Sequence, residues 1–336
     1  MFDDEPPVDP ASLPVVIIGA GPCGLAAAVA LERVGIHAIV LEKHSLVSSI
    51  AGYPMYMTFF STADKIAIGG LPFTVATEKP TRRDALEYYR GVVSHFGLAV
   101  RPYEKVERVV REGDGFLVYS HPRGLEPVET HARAVVFATG YFGTPNRLGV
   151  PGEGQAHVTH FFHEGHEAFQ RTALVVGGGN SAVETSLDLC KAGARVTMVH
   201  FGATFDKNIK PWIRPEFETR VATGDIVVRW GTRVKAIEHE TAVVTTPPGE
   251  ERVAAQHVYL MTGYTPRPEL LHSLGVTLDP VTGVPPHDSA TMETPTPNVF
   301  IAGVLASGLD ANKIFIENGR DHGNVIASTL AARFAR

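Results

Sequence analysis

The chain predicts an α/β fold built from two nested, Rossmann-like, three-layer dinucleotide-binding domains, and three observations carry that expectation. Two glycine-rich turns stand roughly 160 residues apart, each behind an apolar run and each ahead of a helix of small residues. The first is Gly19-Ala-Gly-Pro-Cys-Gly24 after Pro14-Val-Val-Ile-Ile18, and the second is Gly177-Gly-Gly-Asn-Ser-Ala182 after Ala173-Leu-Val-Val176. A strand, a Thr-Gly-Tyr and a proline-rich crossing also occur twice, at 134–152 and again at 258–268. Finally, 33 glycines in 336 residues exceed the usual share of about 7%, as repeated phosphate turns require.

In the first turn Gly19 permits a tight exit from the strand, Gly21 lets the backbone approach a pyrophosphate, and Gly24 lets the helix pack close to the strand. The helix, from about Pro22 to Val34, aims its free N–H groups and positive dipole end at the phosphates. Pro22 suits its first turn, where a missing N–H costs nothing. Ile36–Leu41 reads as the next strand, and Glu42 stands at its end. An acid there, about 20 residues after the glycines, suits ribose hydroxyls and repels a 2′-phosphate. The first turn is therefore expected to take FAD or NAD and not NADP.

The second turn is expected to use Gly177, Gly179, Asn180, Ser181 and Ala182, with a helix from about Asn180 to Ala192 and a strand over Ala194–Val199. No carboxylate follows that strand. The chain reads His200-Phe-Gly202 and then Lys207, Lys210 and Arg214. Absent repulsion and nearby cations favour a 2′-phosphate, so this turn is expected to take NADPH, with His200 and Lys207 or Lys210 as phosphate contacts. Phe116–Tyr119, Ala134–Phe137, Val258–Met261 and Val299–Gly303 read as further strands, and Asn312–Arg333 as mostly helical from the spacing of Ile314, Phe315, Ile326 and Leu330. The expected division is a disordered tail at 1–13, an FAD-binding domain at 14–150 plus 265–336, and an NADPH-binding domain at 151–264.

A net charge of −6 with no basic stripe excludes nucleic acid as a natural partner. The uncharged stretch Leu13–Leu31 is long enough for a membrane span, but its glycine turn breaks it into a strand and a helix. The start, Met1-Phe-Asp-Asp-Glu-Pro-Pro7, is acidic where a secretory signal is basic. Two cysteines, Cys23 and Cys190, make no disulfide framework, which points to the cytoplasm and to no membrane partner.

Four segments are more specific: Gly21-Pro-Cys-Gly24; Tyr53-Pro54 with Thr58-Phe-Phe-Ser61; Ile209-Lys-Pro-Trp212; and Ile301-Ala-Gly-Val304 with Ile314-Phe-Ile-Glu-Asn-Gly-Arg320. With them the chain resembles the two-dinucleotide flavoprotein disulfide reductases, close to thioredoxin reductase in size and nesting, and within these the bacillithiol disulfide reductases (bacilliredoxin reductases). The resemblance implies bound FAD, NADPH as donor, and reduction of oxidised bacillithiol, a small-molecule disulfide, or of a small redox protein. It also implies a homodimer or homotetramer. On the FAD side it adds Tyr53, Thr58, Phe60, Ser61, Val106, Thr139, Gly140, Gly303, Lys313 and Ile314, and on the NADPH side Gly263. The chain departs from thioredoxin reductase in two places. His160-Phe-Phe-His163 stands where a Cys-x-x-Cys is expected, and Val304 stands where an Asp holds the flavin side chain, leaving Asp310 or Asn312 for that task.

Cys23 is the candidate catalytic nucleophile, because a thiol at a helix N-terminus has a lowered pKa and a thiolate can attack a disulfide. Its competing reading is a small packing residue beside the pyrophosphate, about 10 Å or more from the flavin ring, beyond a reactive contact of about 3–3.5 Å. Cys190 reads as core. His157, His160, His163 and His166 recur every third residue without an acidic or thiol partner, so no metal site is expected, and His160 is better placed at the flavin face. Lys313 and Arg320 are candidates for substrate carboxylates. The rival functions are a ferredoxin– or flavodoxin–NADP reductase, a flavin monooxygenase, and an NADPH- and FAD-binding redox sensor without turnover.

Overall fold

The computed structural model describes residues 12–205, 209–265, 269–310 and 313–335, so the expected tail lies almost wholly outside the described residues. Two compact units emerge. The first gathers the described residues up to Ala51, Met57–Thr144 and those from Thr265 onward; the second is Gly52–Tyr56 with Pro145–Tyr264. The second unit thus takes in 145–150 and the short Gly52–Tyr56 segment, which the sequence had placed in the first. Backbone pairing explains both: Asn146 N–H donates to Gly263 O at 2.9 Å, and Met55 N–H donates to His163 O at 2.8 Å.

In the first unit β1 (Val15–Ile18) and β7 (Ala134–Phe137) are uncharged and buried along their whole length, as central parallel strands covered on both faces must be. With β2 (Ala38–Glu42), β3 (Ala99–Pro102) and β16 (Val299–Ile301) they form a five-stranded parallel sheet in the order β16-β7-β1-β2-β3. Helix α1 (Pro22–Arg33) joins β1 to β2. Helix α2 (Arg82–Phe96) starts at a Thr81–Asp84 capping box and stops at left-handed Gly97, which holds its last turn closed. Three antiparallel strands, β4 (Glu104–Glu112), β5 (Gly115–Pro122) and β6 (Val128–Ala132), form a separate small sheet.

The C-terminal segment is not one helix. A single turn over Ile316–Gly319 precedes α5 (His322–Phe334), and Asn312 lies outside the described residues. One glycine sets the packing of α5. A Cβ on Gly323 would sit 2.6 Å from Ala27 Cα, so α5 rests directly on the backbone of α1.

The second unit repeats the plan. Strands β9 (Thr172–Val176), β10 (Arg195–Val199), β11 (Ile226–Arg229), β15 (His257–Leu260) and β8 (Val158–Thr159) form a parallel sheet in the order β11-β10-β9-β15-β8. Helix α3 (Asn180–Lys191) joins β9 to β10, and α4 (Arg214–Ala222) leads into β11. β12 (Arg233–Glu238), β13 (Thr241–Thr246) and β14 (Gly249–Ala254) form the small antiparallel sheet. Alternation along β9 assigns the faces. Ala173 and Val175 pack with Val183, Leu187 and Phe217 of the helices, whereas Leu174 and Val176 pack with Ile237, Val244 and Val253 of the small sheet. The result is three layers: helices, parallel sheet, antiparallel sheet. In both units a glycine turn leaves the sheet where strand order reverses, the place where open α/β sheets bind ligands.

Candidate dinucleotide sites

At the first turn the three glycines do different work. Gly19 has φ +110°, and a Cβ there would meet Ala138 O at 2.5 Å. A Cβ on Gly24 would lie 2.0 Å from Gly19 O, so helix and strand touch through bare backbone. Gly21 is unlike both, since a Cβ on it would meet no protein atom within 4 Å. Gly21 is the N-cap of α1, with no side chain capping the helix and Pro22 in its first turn. Open space before uncapped N–H groups fits a pyrophosphate.

Glu42, 6% exposed at the end of β2, braces this turn. Its Oε2 accepts the N–H of Ala20, the residue between the first two glycines, at 2.9 Å, and Oε1 accepts His44 N–H at 2.9 Å and Ser48 Oγ–H at 3.2 Å. A carboxylate offers about four lone-pair sites, so one remains for a ribose hydroxyl.

Cys23 corrects an expectation. Its Sγ lies against two glycines: a Cβ on Gly303 or Gly319 would come within 3.0 or 2.9 Å of it. Burial, followed by the nearby Asp321 and Glu317 carboxylates, pushes the thiol up to about 12. The helix N-terminus does not lower it; desolvation and like charge win. Beside it, left-handed Gly303 donates its N–H to His322 Nδ1 at 3.2 Å. Burial, with His287 adding repulsion, holds His322 below its usual range despite Asp321.

Of the other residues expected around the flavin, Thr58 forms a bridge with Thr81, Phe60 is exposed, and Ser61 Oγ–H donates to Glu317 Oε1. Arg320 donates from its guanidinium to Asp64 O at 2.9 Å and also to Ala67 O, tying the 63–67 segment to the C-terminal turn. Thr139 and left-handed Gly140 follow β7, and Val106 is buried in β4. Ile314 touches the Gly319 position. Lys313 is exposed, 3.5 Å from Asp310, and Val304 is half-buried in the turn Gly303–Ser307. Tyr53 falls in the second unit, not with Thr58, Phe60 and Ser61.

At the second turn Gly177 has φ +145° and a Cβ there would lie 2.4 Å from Met261 O. Gly179 N-caps α3 without a capping side chain, Ala182 is fully buried at the third position, and Ser181 is exposed. Asn180 Oδ1 accepts Lys210 N–H at 2.9 Å. Gly263 has φ +82° and its carbonyl accepts Asn146 N–H.

The expected phosphate cations are placed otherwise than the sequence implied. His200 is 4% exposed, its ring packed flat in the space that a Cβ on Gly178 or Gly202 would take, at 2.5 and 2.6 Å. It stands after β10 as Glu42 stands at the end of β2, filling the turn from below rather than reaching outward. Lys210 Nζ pairs with Glu184 at 3.2 Å, and burial draws it below the usual lysine range in spite of that carboxylate. Lys207 lies outside the described residues.

His160 is also interior. Its Nε2 stands 3.1 Å from Glu153 Oε1, and both residues are buried. Burial pulls Glu153 up, but the N–H groups of Leu148 and Gly149, at 3.0 and 2.8 Å, and then His160 carry it below its usual range. Burial likewise lowers His160. This pair braces the 148–160 crossing. Among the described residues no three His, Cys, Asp or Glu side chains are grouped to hold a metal ion, and no helix is long and apolar enough to cross a membrane. Cys190 packs half-buried against the helix-side core, and burial raises its thiol.

Sequence reasoning missed Glu153 and Asp321, and it did not place Glu317 beside Cys23. Their partners lie far along the chain or in irregular backbone, so spacing carries no sign of them.

A family model described as pyridine nucleotide-disulphide oxidoreductase matches residues 16–303. Bacilliredoxin reductase Bdr of Bacillus subtilis (strain 168) is 43% identical over 321 residues, covering 95% of this chain and 97% of that protein. The solved bacillithiol disulfide reductase Bdr (YpdA) from Bacillus cereus superposes with a TM-score of 0.94 at 44% identity, covering 96% of this chain and 99% of that one. Its counterpart from Staphylococcus aureus gives 0.90 at 39% identity, covering 96% and 98%.

Proposed function

Because the chain belongs to the pyridine nucleotide-disulphide oxidoreductase family, enzymes that use a flavin and NAD(P)H, we propose that it uses NADPH and FAD to reduce oxidised bacillithiol. The similarity to bacilliredoxin reductase over 95% of the chain supports the substrate. One observation of this structure supports the cofactor assignment above all: equivalent places at the ends of two equivalent strands hold Glu42 in one unit and His200 in the other. A carboxylate accepts ribose hydroxyls and repels a 2′-phosphate; an imidazole in its place removes that repulsion. The proposed setting is the cytoplasm, and the proposed assembly is a homodimer or homotetramer.

The overall conversion balances as NADPH, one proton and one disulfide giving NADP⁺ and two thiols. Bound FAD supplies the two-electron relay between nicotinamide and disulfide. The protein's part is placement. The Gly19–Gly24 turn and Glu42 hold the flavin nucleotide's pyrophosphate and ribose, and the Gly177–Ala182 turn holds the pyridine nucleotide. Burial, with Asp321 and Glu317, keeps Cys23 a neutral thiol, and the chain's one other cysteine, Cys190, packs in the helix-side core of the second unit. Electrons therefore leave for a diffusible acceptor without an internal dithiol relay.

The test is NADPH oxidation by the purified flavoprotein with oxidised bacillithiol, oxidised thioredoxin and oxidised ferredoxin offered separately. Turnover with the bacillithiol disulfide supports the reading. Turnover with ferredoxin alone, or none with any acceptor, rejects it.

A further inference from the structure

Of the cations expected to meet a 2′-phosphate, His200 is buried and Lys210 is paired with Glu184, while Lys207 lies outside the described residues. The structure supplies another cation from a different strand. Beyond β10 the segment 200–202 is strapped to the segment after β11: Thr232 N–H donates to His200 O at 2.9 Å and Gly231 N–H donates to Gly202 O at 2.9 Å. These two bonds set the next residue, Arg233, beside the His200–Gly202 segment that follows β10. Its guanidinium carbon stands 4.7 Å from the ring centroid of Phe201, a residue 61% exposed.

Arg233 differs from its neighbours in pairing as well as in place. Lys210 is paired with Glu184, Arg229 with Glu251, Lys235 with Glu250 and Arg214 with Glu218. Among the described residues no carboxylate pairs with Arg233. A guanidinium held over an aromatic face keeps its N–H edges free for a bidentate oxyanion. We propose that Arg233, positioned by Phe201, is the residue by which the second turn recognises the 2′-phosphate of a phosphorylated adenosine. This rests on the NADPH reading given above. His200 then acts as a packing group: it replaces an acid, and Gly178 and Gly202 leave room for its ring.

The experiment measures binding, not turnover. The flavin-loaded enzyme is titrated calorimetrically with 2′,5′-ADP and with 5′-AMP, which differ by the 2′-phosphate alone. The wild type is expected to favour 2′,5′-ADP by about ten- to hundredfold, the range of one or two charge-assisted hydrogen bonds. Arg233→Gln is expected to bring the ratio near unity while 5′-AMP affinity stays put, which also reports an intact fold. Arg233→Lys should retain part of the ratio, and Phe201→Ala should lower it severalfold. A preserved ratio in Arg233→Gln overturns the proposal but leaves the NADPH reading standing, as does a ratio lost in Lys210→Gln instead. A wild type that does not discriminate overturns both.

Discussion

Substituting alanine at Gly21 and at Gly24 separates a glycine kept for a ligand from one kept for the fold. Gly21 has φ −74° and ψ 173°, ordinary extended backbone for alanine, and its Cβ would meet no protein atom within 4 Å. Gly21→Ala should therefore leave the flavin-free protein folded and raise its stability by about 0.4–1 kcal/mol through a stiffer unfolded chain. For a unit of this size that is about 1–4 °C in melting temperature. The same Cβ projects into the space before the α1 N-terminus and displaces the pyrophosphate. Losing one charge-assisted N–H contact weakens flavin binding by about ten- to hundredfold. Gly24→Ala should do the reverse in order of cause. Its Cβ at 2.0 Å from Gly19 O must push helix from strand, costing about 1–3 kcal/mol or more before any ligand is considered. Thermal melts of the flavin-free proteins, followed by fluorescence titration with FAD, distinguish the two. A Gly21→Ala protein that binds FAD like the wild type, or that melts well below it, refutes the reasoning.

Glu42→Gln leaves one oxygen where two accept, Oε2 from Ala20 N–H and Oε1 from His44 N–H and Ser48 Oγ–H, so urea denaturation should show a loss of about 1–3 kcal/mol even without flavin. Cys23 should stay protonated: in a Cys190→Ser background, thiolate absorbance should show no step between pH 6 and 10, and a step below pH 8 would contradict the burial argument. Burial lowers His160, His257 and His322 below the usual 6.5, so each favours the neutral form when folded. The unfolded chain then binds more protons on the acid side, and stability is full above about pH 6.5 and falls as pH drops toward 5. Urea midpoints at pH 7.5 and 5.5 check this, and His322→Asn, which keeps an acceptor for Gly303 but cannot titrate, should flatten the difference.

Much of the scaffold was legible because its rules are local. Glycines behind uncharged strands announced both turns, and β1, β7, β10 and β15 lie within a residue or two of where apolar runs put them. Helix α2 and most of the two small antiparallel sheets went unread, although Thr81 with Asp84 is a capping box and Glu104–Glu112 alternates as a one-sided strand should. Side-chain partnerships were the harder part. Ser61 meets Glu317, and Cys23 meets Gly303 and Gly319, across hundreds of residues, and only folding shows that two carboxylates face the thiol. His200 read as a surface cation because a histidine in a polar stretch usually is one. Its neighbours Gly178 and Gly202 held the contrary sign: two missing side chains around one ring.

The equivalence of Glu42 and His200 shows how one scaffold is made to differ. Glu42 ends and His200 follows the strand that succeeds the helix after each glycine turn, and both lie beneath the middle residue of that turn, Ala20 or Gly178. The carboxylate does two jobs there, fastening the turn through Ala20 N–H and presenting negative charge to whatever ribose lies above. Replacing it with a flat, buried ring keeps the volume filled while deleting the charge. Selectivity for a phosphate then needs a positive group from elsewhere, because the ring faces inward. The strap from β11 to the 200–202 segment is the element that places Arg233 beside that segment. A His200→Glu variant should accordingly lose its preference for 2′,5′-ADP over 5′-AMP even with Arg233 intact, since a carboxylate restored beneath the turn would repel the 2′-phosphate.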